Sequence, residues 1–172
     1  NYILKLNTHS FDLKQFNRII VMGAGKASAA MAKAMEDLLE DRLDSGLIVT
    51  KYGHTIPLKK IKTIEAGHPV PDDAGIRGAK ELIDLAQSAD ENTLVINLVS
   101  GGGSALTPLP VDGISLEDKQ QTTAVLLDCG ASIQEINTIR KHLSAFKGGW
   151  LAKAIFPATM INLIISDVIG ND

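Results

Sequence analysis

The sequence predicts an α/β protein, a three-layer α/β/α sandwich around a mostly parallel sheet. Five short apolar runs, near residues 18–22, 46–50, 61–65, 93–99 and 159–166, are continuous rather than alternating. That is the pattern of strands covered on both faces. Segments of helical periodicity lie between them, and strands alternating with helices make βαβ units. Two of the runs also end in glycine-rich turns, Gly23-Ala24-Gly25-Lys26 and Ser100-Gly101-Gly102-Gly103-Ser104. Ligands of open parallel sheets bind beyond the carboxyl ends of the strands. A turn without side chains there lets backbone N–H groups approach an anion, and phosphate is the leading candidate.

The helices follow from their caps and periods. From Ala27, small or apolar residues at 27, 30, 31, 34, 35, 38 and 39 predict a helix with that face buried. A second helix starts after Pro71-Asp72-Asp73 and runs to about Ser88, with aspartate caps. Ser115-Leu116-Glu117-Asp118 opens a third with a capping box that uses Asp, and Ser132-Ile133-Gln134-Glu135 opens a fourth. Gly148-Gly149 is expected to break that helix, leaving a short one from Trp150 to Phe156 before the last strand.

The composition narrows the function. The chain has 172 residues, enough for one domain with a real core, and is 45% hydrophobic and 22% charged. Aromatics make up only 4%, so Ala, Ile, Leu and Val must build that core. A formal charge of −3 argues against a nucleic-acid or anionic-membrane surface. The lone Cys129 excludes an intramolecular disulfide and a CxxC metal site, and fits a reducing cytoplasm. No leader and no apolar run of membrane length is visible, so a soluble, cytoplasmic protein is expected. Both ends look cut, since neither falls in a polar linker.

The first glycine turn belongs to neither common nucleotide motif. As a dinucleotide fingerprint it has Ser28 at the third small position, and the second strand ends Val49-Thr50-Lys51 without the acid that binds a ribose hydroxyl. As a Walker A loop it has Ile20 for the first glycine and Ala27 for Ser/Thr. Lys26 is expected in the first turn of a helix, where the dipole disfavours a cation by about 0.3–1 kcal/mol. A bound anion reverses that sign; a solvated surface lysine that tolerates the cost is the alternative.

The second turn could supply amide donors and two hydroxyls. Neither serine fits a nucleophile elbow, because Leu98 and Leu106 stand where glycine is required. Between strand and helix, Gly67-His68-Pro69-Val70-Pro71-Asp72 is a rigid turn that carries His68 to the ligand edge. A histidine bonded to its turn neighbours is the commoner outcome. Asn137, Arg140, Lys141, Ser144 and Lys147 form a cationic stripe on the fourth helix, either a solvated face or an anion-facing one. Asp167, at the end of a buried strand, suits Mg²⁺ held largely through water and phosphate, or a turn.

Taken in order, these motifs resemble class II glycerate kinase, whose members are D-glycerate 2-kinases, some labelled hydroxypyruvate reductase. The segments that carry the resemblance are Gly23–Ala27, Gly67–Asp72, Ser100–Leu106, Gly130-Ala131-Ser132-Ile133, Glu135–Ser144 with Lys147-Gly148-Gly149, and Ile165–Gly170. It covers nearly the whole chain, which would be the Rossmann-like amino-terminal domain of a two-domain kinase (residues 1–172), with the carboxyl-terminal domain absent. Trp150 departs from the pattern, since a basic or polar residue commonly follows the paired glycines. The resemblance implies ATP-dependent phosphorylation of D-glycerate to 2-phosphoglycerate, with ATP and Mg²⁺ as cofactors and the isolated fragment inactive. It makes Lys26 the catalytic lysine that steadies charge on the transferring phosphoryl group, and Asp167 a catalytic or metal residue. Gly23, Gly25 and the loop Ser100, Gly101, Gly102, Gly103 and Ser104 would hold nucleotide phosphates or the glycerate carboxylate. Arg140 and Lys141 would be secondary anion contacts. The partners implied are D-glycerate, the carboxyl-terminal domain and, in a homodimer, a second copy, with no nucleic acid or membrane. The alternatives are a nicotinamide-dependent hydroxypyruvate reductase and a non-catalytic anion-binding module.

Overall fold

The computed structural model describes residues 2–6 and 8–166. Five parallel strands form the main sheet in the spatial order β5-β4-β3-β6-β7. They are β3 (Arg18–Ala24), β4 (Ser45–Lys51), β5 (Ile61–Ala66), β6 (Thr93–Ser100) and β7 (Thr159–Ile165). The five predicted runs are therefore strands, with ends shifted by at most two residues. A short antiparallel hairpin, β1 (Ile3–Leu6) with β2 (His9–Asp12), precedes them and was not foreseen. Its strands are only four residues each and half of those residues are exposed, so they carry little periodic signal.

The helices are α1 (Ser28–Leu39), α2 (Asp73–Gln87), α3 (Gly103–Leu106), α4 (Leu116–Asp128), α5 (Ile133–His142) and α6 (Trp150–Ile155). On one face of the sheet, Ala29, Ala32, Met35 and Leu39 of α1 pack on Ile19, Val21, Ile48, Ile61, Leu94 and Ile96. On the other, Ala74, Leu82 and Ala86 of α2, Leu106 of α3 and Ile155 of α6 pack on Ile20, Met22, Leu47, Val49 and Val95. This is the expected three-layer α/β/α sandwich. The central strands β3 and β6 are almost wholly buried, as their largely apolar sequences require. By contrast α4 buries none of its residues and packs on α5 rather than on the sheet. No helix of the described residues is long and apolar enough to cross a membrane.

The caps fall where the sequence sets them. Asp72 accepts from the Gly75 amide at 3.0 Å, and Ser115/Asp118 and Ser132/Glu135 both close as capping boxes. Three expectations need correction. The buried face of α1 is Ser28, Ala29, Ala32, Met35, Glu36 and Leu39, whereas Ala30 and Leu38 are exposed. Alanines at 27, 29, 30, 32 and 34 fit either phase, and the sheet selects one. Lys26 precedes the N-cap Ala27 instead of lying in the first turn. Finally, α5 stops at His142, six residues before Gly148, because Ser144 turns inward to bridge with Pro110. Its hydroxyl accepts from the amides of Phe146 and Lys147 at 3.2 and 3.1 Å.

Glu36 ties α1 to the sheet. Its carboxylate, buried in the helix face, accepts from the amides of Lys59 (2.8 Å), Lys60 (2.6 Å) and Ile61 (3.0 Å), which lead into β5. Burial pushes its pKa up, but these amides and the nearby Lys33 ammonium outweigh that and hold it below the usual glutamate value.

Candidate active site

Read in chain order, the five strands lie 3-2-1-4-5 across the sheet, and the direction of winding reverses between β3 and β6. Such a reversal opens a crevice at the carboxyl ends of the two strands, the general ligand position of open α/β sheets. Both glycine turns lie there, one after β3 and one after β6.

The first turn spends its polar groups on holding itself. The Gly25 amide donates to Val49 O at 3.1 Å and the Lys26 amide to Gly101 O at 2.9 Å. The Ala27 amide donates to the Ser100 hydroxyl at 3.0 Å. The Gly25 carbonyl accepts from the hydroxyls of Ser28 (2.7 Å) and Thr50 (3.2 Å), both fully buried. Gly23 lies inside β3, where any side chain would run into the Leu98 backbone. Gly23 and Gly25 thus let β3 and β6 approach closely, and Ser100, 7% exposed, faces the α1 terminus.

In the second turn, Gly102 adopts φ = 88°, a conformation that favours glycine. A Cβ built there would lie 2.8 Å from His68 Cδ2, 2.9 Å from His68 Nε2 and 3.3 Å from Lys26 Cγ. Three segments distant in sequence therefore converge at Gly102: the first turn through Lys26, the Gly67–Asp72 turn through His68, and the loop itself. Gly103 and Ser104 begin α3, whose first amides have no preceding turn to bond. Lys26 and His68 are half-buried, accessible from the crevice but not freely solvated.

Beyond Ser104 the crevice widens into a cavity of about 530 Å³ under α4 and α5. Arg140 lines it and donates from Nη2 to the Ser104 hydroxyl at 3.1 Å. Lys119 and Lys147 line it as well. Lys119 Nζ donates to Pro108 O at 2.6 Å, and Lys147 Nζ to Thr107 O. Burial, with the charges of Lys119 and Arg140, pushes Lys147 down to about 7. Burial and Arg140 push Lys119 down to about 8. Lys141 is exposed and lies outside the cavity lining. Lys119 carries no motif of its own in the sequence, and only the fold brings it to the other two cations. Asp167 lies outside the described residues. Among the described residues no three His, Cys, Asp or Glu side chains gather as a metal site.

The sequence pattern of the family described as "Domain of unknown function (DUF4147)" matches residues 2–172. The chain belongs to that DUF4147 family. Among similar proteins, the glycerate 2-kinase of Pyrococcus horikoshii is 53% identical over 162 residues, covering 94% of this chain and 36% of the relative. The D-glycerate 2-kinase of Thermotoga maritima is 47% identical over 156 residues, 90% of this chain and 37% of the relative. This DUF4147 chain thus spans little more than a third of the length of these curated relatives. The crystal structure of glycerate kinase from Thermotoga maritima superposes with a TM-score of 0.87 at 46% identity, covering 91% of this chain and 38% of that one. A Pyrococcus horikoshii structure gives 0.90 at 48% identity, covering 99% and 39%.

Proposed function

We propose that this domain forms one half of the active-site cleft of a glycerate 2-kinase, which moves the γ-phosphoryl group of ATP onto the C2 hydroxyl of D-glycerate. The observation that carries the reading is the meeting of Lys26, His68 and the αL Gly102 at the switch point of a parallel sheet. The kinase names of long relatives at about half identity support it.

In such a transfer the hydroxyl oxygen bonds to the γ-phosphorus as the bond to the β–γ bridging oxygen breaks and ADP leaves. The protein's share is positioning and electrostatic stabilisation. The Lys26 ammonium lies against the moving phosphoryl oxygens. The amides that head α3 take a phosphate or carboxylate oxygen. His68 takes the hydroxyl proton, its ring beside both. Mg²⁺ is commonly held by one or two carboxylates with phosphate oxygens and water, so a cluster of three protein ligands is not required. A Mg²⁺ ion bound with the nucleotide would supply charge neutralisation to its phosphates. Asp167 is the carboxylate assigned to it. The free, exposed Cys129 accords with a reducing, cytoplasmic setting.

The test is an assay of the intact protein with ATP, Mg²⁺ and D-glycerate, following ADP release and the phosphoglycerate formed by ³¹P NMR. Stoichiometric 2-phosphoglycerate is expected, and Lys26→Met should lower turnover by at least about 10²-fold, as for loss of one preorganised donor. Absence of phosphoglycerate, or NADH oxidation by hydroxypyruvate instead, would overturn the assignment.

A further inference from the structure

The cavity under α4 and α5 brings together three cations from separate segments: Lys119 of α4, Arg140 of α5 and Lys147 of the following turn. No aspartate or glutamate is among its described lining residues. The partners of the three are neutral oxygens: the Pro108 and Leu109 carbonyls for Lys119, the Thr107 carbonyl for Lys147, and hydroxyl and amide oxygens of Ser104 and Asn137 for Arg140. Withdrawing like charges together from water is costly unless an opposite charge joins them. The remaining wall is mostly apolar, with Pro69, Pro71, Pro108, Leu116, Leu127 and Leu143 beside the polar Gln120 and Thr123. Its volume falls in the range of about 300–1,000 Å³ common to small-molecule sites. The bond from Arg140 to Ser104 makes it continuous with the glycine loop.

We propose that this cavity is an oxyanion pocket, in which Lys119, Arg140 and Lys147 grip a carboxylate or phosphate group whose carbon body lies on the proline and leucine wall. Only the choice of ligands for testing, D-glycerate and ATP, rests on the phosphoryl-transfer reading. An anion here turns three mutual repulsions into three attractions. It also raises the proton affinity of both lysines, so binding should take up protons near neutral pH.

The experiment is calorimetric titration of the intact protein with D-glycerate alone and with metal-free ATP alone, in the wild type, Lys119→Met and Lys147→Met. Circular dichroism melting reports whether each variant is folded. At least a tenfold weakening of one ligand is expected in both variants. Weakened glycerate with unchanged ATP identifies a carboxylate pocket, and the reverse identifies a phosphate pocket. Folded variants that bind both ligands as the wild type does overturn the proposal. Should either variant fail to fold, lysine side-chain NMR of the unaltered protein decides. The Lys147 titration midpoint must rise on adding D-glycerate or inorganic phosphate, and a midpoint unmoved by both overturns the pocket. These readouts need no turnover. Protein that binds here yet forms no phosphoglycerate sinks the kinase reading alone, and an active kinase with unaltered binding in both variants sinks the pocket alone.

Discussion

The hydroxyl of Ser100 accepts from the Ala27 amide at 3.0 Å, joining the end of β6 to the head of α1 across the switch point. The serine is 7% exposed and the bond it accepts is partly buried. Ser100→Ala should cost about 1–3 kcal/mol through the unsatisfied donor. A lower urea midpoint at unchanged slope would show it.

Gly102→Ala should act on activity more than on stability. The φ of 88° adds strain of about 1–2 kcal/mol, and the new methyl presses on His68. A displacement of about 1 Å in such a loop can cost on the order of 10²-fold in rate. A kcat within twofold of wild type in a folded variant would contradict this geometry.

His68→Gln keeps a polar group of similar reach but removes the basic nitrogen. General-base catalysis is commonly worth about 10²–10⁴-fold, and kcat should fall within that range while the KM for ATP stays.

Glu36 makes the fold acid-sensitive. Its pKa is lowered in the folded protein, so its stabilisation is complete above the ordinary glutamate value of 4.5. It is lost as pH falls below that through the folded value. Glu36→Gln should flatten the acid limb of the stability curve and lower stability at pH 7, with the amides of Lys59, Lys60 and Ile61 poorly satisfied. Thermal melts at pH 3 to 7 measure both.

Lys147 carries the opposite sign. Its folded pKa of about 7 lies below the ordinary lysine value of 10.5, so between them the unfolded chain binds more protons. The stability penalty is complete below about pH 7 and fades as pH rises towards 10.5. Lys147→Met should therefore raise the melting temperature most at pH 6 and progressively less at pH 9. A stabilising loss of this kind is expected where a charge is kept for function.

What was legible in the sequence was local. Continuous apolar runs marked the strands, and Asp72, Ser115 and Ser132 marked helix starts because their caps need only residues three positions away. The phase of α1 was not legible, since alanines on several sides leave it to the sheet. The end of α5 was missed because Ser144 is drawn away by Leu109 and Pro110, more than thirty residues earlier. His68 was legible as a turn residue, but its place beside Gly102 depends on strand order. Lys119 was invisible for the same reason, as nothing near it in sequence points to Arg140 or Lys147.

The two buried hydroxyls on the Gly25 carbonyl have an effect on the mouth of the crevice. With Ser28 and Thr50 both drawing that oxygen inward, the peptide plane cannot rotate to turn its negative end outward. A rotation of that one unit would set a lone pair in the path of an approaching ligand and reverse the local sign of the field. Two small side chains at the back of the loop thereby hold its polarity from behind.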